Sequence, residues 1–229
     1  AWVGLNGKAL EKGRDIWSTA PMTQQIIDLE AWPRAAQFRL FRTYQQPHYA
    51  TTTRLDVTHL MSRKTDGISA YRGCLFAIGA GLHQVPELCM RFRGDQVVAH
   101  EMITLSMTVP TDKGSFGYAY VPFLADYRAF AEQAKSLIEA VAAGGILDAN
   151  SGERDDLAYL SCMPWLDYTS INNALPGPDD CIPRITWGKI VERDGRWEMA
   201  MTLEVHHALV DGAQVGAYFA AVQDALRAI

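Results

Sequence analysis

No stretch of this sequence approaches the ~20 apolar residues of a membrane-spanning helix. Residues 1–21 also lack the apolar core, roughly 7–15 residues long, of a secretory signal. No block of Lys or Arg is present. With 21 basic and 26 acidic residues the net charge is -5, so the electrostatic footprint of a nucleic-acid binder is missing. An anionic co-substrate must therefore find local cations or backbone N–H groups, because the global field does not attract it. The four cysteines, Cys74, Cys89, Cys162 and Cys181, form no C-x-x-C pair, and their spacing suits neither a zinc site nor a disulfide framework. These absences lead to the expectation of a cytoplasmic protein with reduced thiols, no metal, no membrane and no nucleic-acid partner. Repeats, low-complexity tracts and Gly/Ser linkers are lacking too. With 48% hydrophobic residues in 229, one buried core is expected, as a single domain over 22–229. Residues 1–21, weakly periodic, read as an extension.

What is present alternates between helical and strand patterns. Ala31, Ala35, Phe38 and Phe41 fall near one stripe, so a helix is expected from Trp32 with Pro33 in its first turn. Residues 51–58 (TTTRLDVT) read as a strand, and 70–84 as a helix despite three glycines. A hairpin over 88–92 and 96–100 turns at Arg93-Gly94-Asp95. After a strand near 102–109 comes a loop holding Gly114 and Gly117, then an amphipathic helix over 124–142. Residues 157–162 and 184–192 are strand candidates. Arg193–Arg196 turn into a strand over 197–206. A final helix over 213–228 carries Val215, Phe219, Val222 and Leu226 on one face. Without strict βαβ alternation, the fold class implied is α+β, a layered mixed β-sheet with helices packed on it.

The chemistry concentrates in MAMTLEVHHALVDGAQVGAYF, residues 199–219. Strand alternation puts Met199, Met201, Leu203, Val205 and His207 on one face, and Ala200, Thr202, Glu204 and His206 on the other. His207 thus continues an apolar row at a strand end, where a desolvated imidazole tends to stay neutral and can accept a proton. His206 points away. Asp211 can orient the following loop or pair with an arginine, and Gly212 permits a tight turn into the last helix. The plainer alternative is a satisfied core histidine followed by an ordinary turn.

The run His206-His207-Ala208-Leu209-Val210-Asp211-Gly212 resembles the signature of the CoA-dependent acyltransferase superfamily. Three further segments resemble the chloramphenicol acetyltransferase family specifically. They are Trp32-Pro33-Arg34 with Phe38, Phe41 and Gln46-Pro47-His48-Tyr49; Ser161-Cys162-Met163-Pro164-Trp165 with Tyr168-Thr169-Ser170; and Ile185-Thr186-Trp187-Gly188-Lys189. Their order spans Met22 to the C-terminus. The resemblance implies the fold of that family and the transfer of an acetyl group from acetyl-CoA, a co-substrate rather than a permanently bound cofactor, to a hydroxyl of chloramphenicol or a similar small acceptor. It implies His207 as general base, Ser161 as donor to the tetrahedral oxyanion, Thr186 as a helper in the same region, and Asp211 with Arg34 as a buried structural pair. It also implies a homotrimer with sites at subunit interfaces.

By the same resemblance Leu40, Phe41, Tyr49, Phe116 and Trp165 line the acceptor pocket. The chain departs from the family where Phe41 replaces a common Tyr, where Gln45 replaces an aliphatic residue and where Tyr118 replaces a small one, which bears on the acceptor. One lobe offers only half a tunnel, so the segment Leu40–Tyr49 of a neighbouring copy is expected to wall off His207. Asp179-Asp180 reads as a solvated acidic loop. The rival readings are a dihydrolipoamide-type acyltransferase, which commonly has D-H-R where this chain has His206-His207-Ala208, and a non-catalytic drug-binding protein.

Overall fold

The computed structural model describes residues 24–111, 115–144, 149–150, 152 and 154–229. The extension over 1–21, Gly114 and Gly145 lie outside them. In chain order the elements are β1 (Gln24–Ile26), α1 (Ala35–Phe41), β2 (His48–Asp56), α2 (Thr58–Ser62), α3 (Ala70–Gln84), β3 (Met90–Arg93), β4 (Gln96–His100), β5 (Thr104–Pro110), β6 (Phe116–Pro122), α4 (Tyr127–Ala142), β7 (Leu157–Met163), β8 (Arg184–Gly188), β9 (Val191–Arg193), β10 (Arg196–His206) and α5 (Gly212–Ala228). Short 3₁₀ turns occupy Arg63–Asp66 and Pro86–Cys89.

The main sheet runs β2-β10-β8-β7-β5-β6, with β9 pairing on β10. β7 is parallel to both β5 and β8, and the other neighbours are antiparallel. A small antiparallel sheet, β1-β4-β3, stands apart. One face of the main sheet is apolar. Leu105, Met107, Leu160, Ile185, Trp187, Met201 and Leu203 are buried there, beneath α3, α4 and α5. Each such side chain contributes about 1.5–3 kcal/mol by leaving water.

All three glycines in α3 sit at close approaches; a Cβ on Gly73 would lie 2.5 Å from Cδ1 of Leu60 on α2. A Cβ on Gly81 would lie 2.4 Å from Cγ2 of Val222 on α5, and one on Gly79 would lie 2.4 Å from the Phe123 ring. Close packing is therefore what the helix gains for its poor glycine propensity.

The other face is polar. The register aligns Ser161 (β7), Thr186 (β8), Thr202 (β10) and Thr52 (β2) in one row. The connection 164–183, between β7 and β8, folds back over part of this row. Asn173 donates its backbone N–H and its Nδ2 to Oε2 of Glu204, both at 2.8 Å. The Tyr168 hydroxyl donates to the Thr186 carbonyl at 2.6 Å and accepts from Oγ1 of Thr202 at 3.2 Å. Asp180 is not solvated as expected: it pairs with Arg184, whereas exposed Asp179 reaches Arg42 at 2.7 Å.

Several boundaries differ from the sequence expectations. Pro33 lies in the turn before α1, which starts at Ala35. β2 begins at His48 and gives way to a short helix after Asp56, where the carboxylate accepts the Thr58 N–H. Residues 88–89 belong to the 3₁₀ turn that Pro86 opens. The expected loop with Gly117 is strand β6. Its alternation is real, with Gly117, Ala119 and Val121 buried and Tyr118 and Tyr120 on the opposite face, but glycine and proline masked it. Asp126 caps α4 through the Ala129 N–H at 2.8 Å, delaying its start to Tyr127. The expected strand 184–192 breaks at Lys189-Ile190, because the backbone of Leu166 crowds Gly188. Tyr218, rather than Phe219, completes the buried stripe of α5.

Candidate active site

β10 ends at His206, so His207 sits in the turn beyond it, one residue outside the apolar row expected to contain it. Three backbone bonds shape that turn. The His206 carbonyl accepts N–H groups from Leu209 (3.1 Å) and Val210 (3.2 Å), and His207 N–H donates to the Pro47 carbonyl at 2.9 Å. The His207 ring lies flat on Phe41, with centroids 3.8 Å apart and planes 6° from parallel. The Tyr49 ring is tilted against it, with centroids 4.7 Å apart and planes at 47°. With 35% of its side chain exposed, the ring has an open edge. Its Nδ1 lies 3.1 Å from Oδ1 of Asp211, but off the axis of a proper hydrogen bond. Among the described residues Nε2 has no partner.

Asp211 caps α5 and anchors this arrangement. Both terminal nitrogens of Arg34 bond its carboxylate, NH2 at 3.1 Å from Oδ1. The Arg34 hydrogen bond holds the Asp211 carboxyl below the usual carboxylate range, against the opposing effect of burial. Its own N–H is taken by Oε1 of Gln214 at 3.1 Å. The Tyr49 hydroxyl donates to the Val210 carbonyl at 3.2 Å. Burial pushes the Tyr49 pKa up to about 12, so it remains a donor.

Ser161 and Thr186 lie side by side on the parallel strands β7 and β8. Thr186 is 1% exposed, and its Oγ1 has no hydrogen-bond partner. Such a buried hydroxyl invites a water or a ligand group. The same residues are far from His207 in this chain. Thr202, in register with Thr186, precedes His206 by four residues, and β7 is two strands from β10. At ~3.3 Å per residue and ~4.8 Å per strand, Ser161 and His206 are roughly 16 Å apart. One chain therefore does not bring the base candidate and the hydroxyl donor together.

A cleft of about 630 Å³ opens at the carboxyl ends of β7 and β8, lined by Tyr71, Cys162, Trp165 and Trp187 with Lys64 and Lys189. Trp165 is 77% exposed at this cleft. It is large enough for an extended ligand, and its two lysines supply the local positive charge the global field lacks.

The expected site residues thus divide into two groups. Arg34, Leu40, Phe41, Tyr49, His207 and Asp211 gather at the ends of α1, β2 and β10. Ser161, Thr186, Phe116 and Trp165 belong to the β6–β7–β8 side of the sheet, with Tyr118 edge-on to Phe116. Leu40 and Phe116 are about half exposed. The wall expected from a neighbour's Leu40–Tyr49 segment is instead supplied by the chain itself, because the Pro47 carbonyl bonds the His207 N–H and draws that segment alongside. Gln45 is exposed.

Three features escaped the sequence reading: the two-sided hydrogen bonding of His206, the Tyr168 hydroxyl between Thr186 and Thr202, and Lys64 at the cleft. Only His206 left a signal, a polar side chain at a strand end, two residues before the backbone N–H of Ala208 that it accepts. Among the described residues no cluster of metal-ligating side chains occurs, and no helix is long and apolar enough to cross a membrane.

A family model described as chloramphenicol acetyltransferase matches residues 22–223. A chloramphenicol acetyltransferase from Campylobacter coli is 26% identical over 203 residues, covering 87% of this chain and 97% of that relative. A solved structure of a chloramphenicol acetyltransferase superposes with a TM-score of 0.82 at 27% identity, covering 89% of this chain and all of that one. A probable dihydrolipoamide acetyltransferase from Listeria monocytogenes reaches a TM-score of 0.65 at 15% identity, covering 85% of this chain and 90% of that one, a likeness of fold alone.

Proposed function

The chain belongs to the chloramphenicol acetyltransferase family, and from that premise we propose that it transfers the acetyl group of acetyl-CoA to a hydroxyl of chloramphenicol. The observation that carries this reading is the pose of His207. Its ring is clasped by Phe41 and Tyr49, its Nδ1 faces the Asp211 carboxylate, and its Nε2 is left open. A proton held at Nδ1 leaves the Nε2 lone pair to act as base.

In the proposed reaction the acceptor hydroxyl gives its proton to Nε2 of His207 as its oxygen attacks the thioester carbon. The negative charge moves to the former carbonyl oxygen, where the Ser161 hydroxyl donates a hydrogen bond. A donor of this kind contributes ~3–4 kcal/mol to the barrier. The tetrahedral species then expels the CoA thiolate, which takes the proton from His207, leaving the acetyl ester. No acyl-enzyme and no permanently bound cofactor is involved. Thr186, with its unpartnered hydroxyl, supports the same centre through a bound water.

The ~16 Å between the two halves within one chain favours a site shared by copies of the protein. We assign the assembly as a homotrimer, each interface joining the His207 side of one copy to the Ser161 side of the next. Phe41 and Tyr49 then hold the acceptor ring from one side, and Phe116 and Tyr118 meet it from the other. The 630 Å³ cleft at the carboxyl ends of β7 and β8 suits the nucleotide end of acetyl-CoA, with Lys64 and Lys189 toward its phosphates and Trp165 toward its base, and its arm passing round the strand ends to the opposite face, where Ser161 lies.

Thiol release from acetyl-CoA, followed with and without chloramphenicol, tests the reading. Release that depends on chloramphenicol is expected. Release that depends instead on a different hydroxyl or dithiol acceptor keeps the mechanism and changes the substrate. Phe41, which offers no hydroxyl to an acceptor, and the bulk of Tyr118 are the features that favour that second outcome.

A further inference from the structure

We propose that His206 is a positioning residue for His207, acting through a side-chain turn that its Nδ1 forms with the backbone N–H of Ala208. The inference rests on the acetyl-transfer reading above for its kinetic consequence, but its structural content stands on geometry alone.

His206 is 2% exposed and hydrogen-bonded on both ring nitrogens. Nδ1 accepts the Ala208 N–H at 3.1 Å, and Nε2 meets the Pro178 carbonyl at 2.9 Å. A backbone N–H can only donate and a carbonyl can only accept. These partners therefore fix the tautomer with its proton on Nε2. The Nδ1 bond spans two residues, the same reach by which an Asn or Asp side chain closes an Asx turn. It bridges over His207, so the backbone of His207 is held on one side by this bond and on the other by the Pro47 carbonyl.

The ring that makes the bond is itself immobilised. Phe92 packs edge-on at 4.9 Å. His48, its partner across the β2–β10 pair, packs edge-on at 4.9 Å and donates from Nε2 to the Asp180 carbonyl. Two imidazoles thus pin the 178–180 stretch of the long connection to the strand end that presents His207. A base must be placed within a fraction of an ångström, and a misplacement of about 1 Å costs on the order of 100-fold in rate. The bond to Ala208 is the closest restraint on that placement that comes from a side chain other than those touching the His207 ring.

The two bonds of His206 can be separated by substitution. His206→Asn keeps an acceptor two residues before Ala208 and loses reach to Pro178. His206→Gln keeps a donor toward Pro178 and loses the short acceptor. Both lose the ring packing against Phe92 and His48, so both should melt at similarly reduced temperatures. His206→Ala should lose kcat ~100-fold, His206→Asn should recover most of it, and His206→Gln should not, with KM for the acceptor little changed throughout. Amide hydrogen exchange at Ala208 and the carbon shift of the His207 ring are read in parallel. Slow exchange and an unchanged shift are expected in the wild type and His206→Asn, and fast exchange with an altered shift in His206→Gln and His206→Ala. Equal kcat in the Asn and Gln variants, or kcat that follows melting temperature instead of Ala208 protection, overturns the proposal. A wild-type protein that releases no thiol with any acceptor defeats the acetyl-transfer reading. In that event Ala208 exchange and the His207 shift still decide the placement, and indistinguishable Asn and Gln variants overturn it.

Discussion

At the scale of single residues, the two hydroxyl and imidazole groups ascribed to catalysis are distinguished from their neighbours by what they lack. His207 has an open Nε2, whereas His206 has a partner on each nitrogen. Ser161 is half-buried in a row whose next member, Thr186, has an unpartnered hydroxyl. If the Ser161 bond forms only with the oxyanion, as proposed, Ser161→Ala should lower kcat ~100-fold with little change in KM. Steady-state thiol assays check this, and a raised KM at unchanged kcat would instead make Ser161 a ground-state binder. The Arg34–Asp211 pair is less buried than the sequence suggested. Arg34 is 12% exposed but Asp211 is 34% exposed, so solvent screens part of the interaction. Asp211→Asn should cost about 2 kcal/mol and also lower kcat, since one carboxylate serves both Arg34 and the His207 ring. Denaturant melts together with kinetics read the two effects, and wild-type values in both would remove Asp211 from the site. His206 carries a pH dependence as well. Burial pushes its pKa down from 6.5 to about 4, against the opposing hydrogen bond to the Pro178 carbonyl. The unfolded chain therefore binds this proton at a pH where the folded protein does not. Its contribution to stability is complete above pH 6.5 and is lost as pH falls toward 4. Melting temperatures measured across that window should fall with pH, with a shallower slope in His206→Asn, and equal slopes would discount the residue.

At the scale of elements, close approach decides what composition leaves ambiguous. Residues 70–84 form α3 although glycine disfavours helices, and Gly81 shows why: a Cβ there would sit 2.4 Å from Val222 and 3.1 Å from the Tyr218 ring. Val222 is β-branched and stiff at χ1, so it cannot swing aside. Gly81→Ala should therefore destabilise by ~1–3 kcal/mol through overpacking, despite a gain of about 1 kcal/mol in helix propensity. A Gly81→Ala, Val222→Ala double variant should regain part of that loss, and a Gly81→Ala protein more stable than wild type would contradict the close approach. Legibility in the sequence follows the same division. β10 and α5 were readable to within a residue at their ends, and so was α3, where Cys74, Leu75, Ile78 and Leu82 keep the helical period across three buried glycines. β6 was not, because Gly117 supplies a buried position with no side chain to count. β8 and β9 merged in the sequence because the break at Lys189-Ile190 is imposed by Leu166, 22 residues or more away in the chain. The motif residues of the site were legible as types in order along the chain. Their division between the end of β10 and the interior of the sheet was not, since strand order and register come from pairing that no local pattern encodes.

At the scale of the whole molecule, that division turns a sequence motif into a statement about assembly. The polar sheet face holds Ser161 and Thr186 on one side, while His207, Phe41 and Tyr49 stand at the end of β10. An interface that joins these two different patches is heterologous, and heterologous contacts close into rings when the rotation allows it. Mixing two inactive proteins tests this directly. His207→Ala retains the Ser161 half and should lose several orders of magnitude in kcat alone, while Ser161→Ala retains the His207 half. If each site takes one half from each of two copies, hybrids co-assembled from equal amounts contain interfaces where both intact halves meet. Random assortment makes that fraction of interfaces about one in four, so mixed protein should recover roughly a quarter of wild-type activity per site after unfolding and joint refolding or co-expression. Light scattering on the same sample should give the mass of three chains. A hybrid no more active than the mean of its two parents would mean that each chain builds its site alone, and the ~16 Å between Ser161 and the end of β10 would then have to be closed by a rearrangement within the chain.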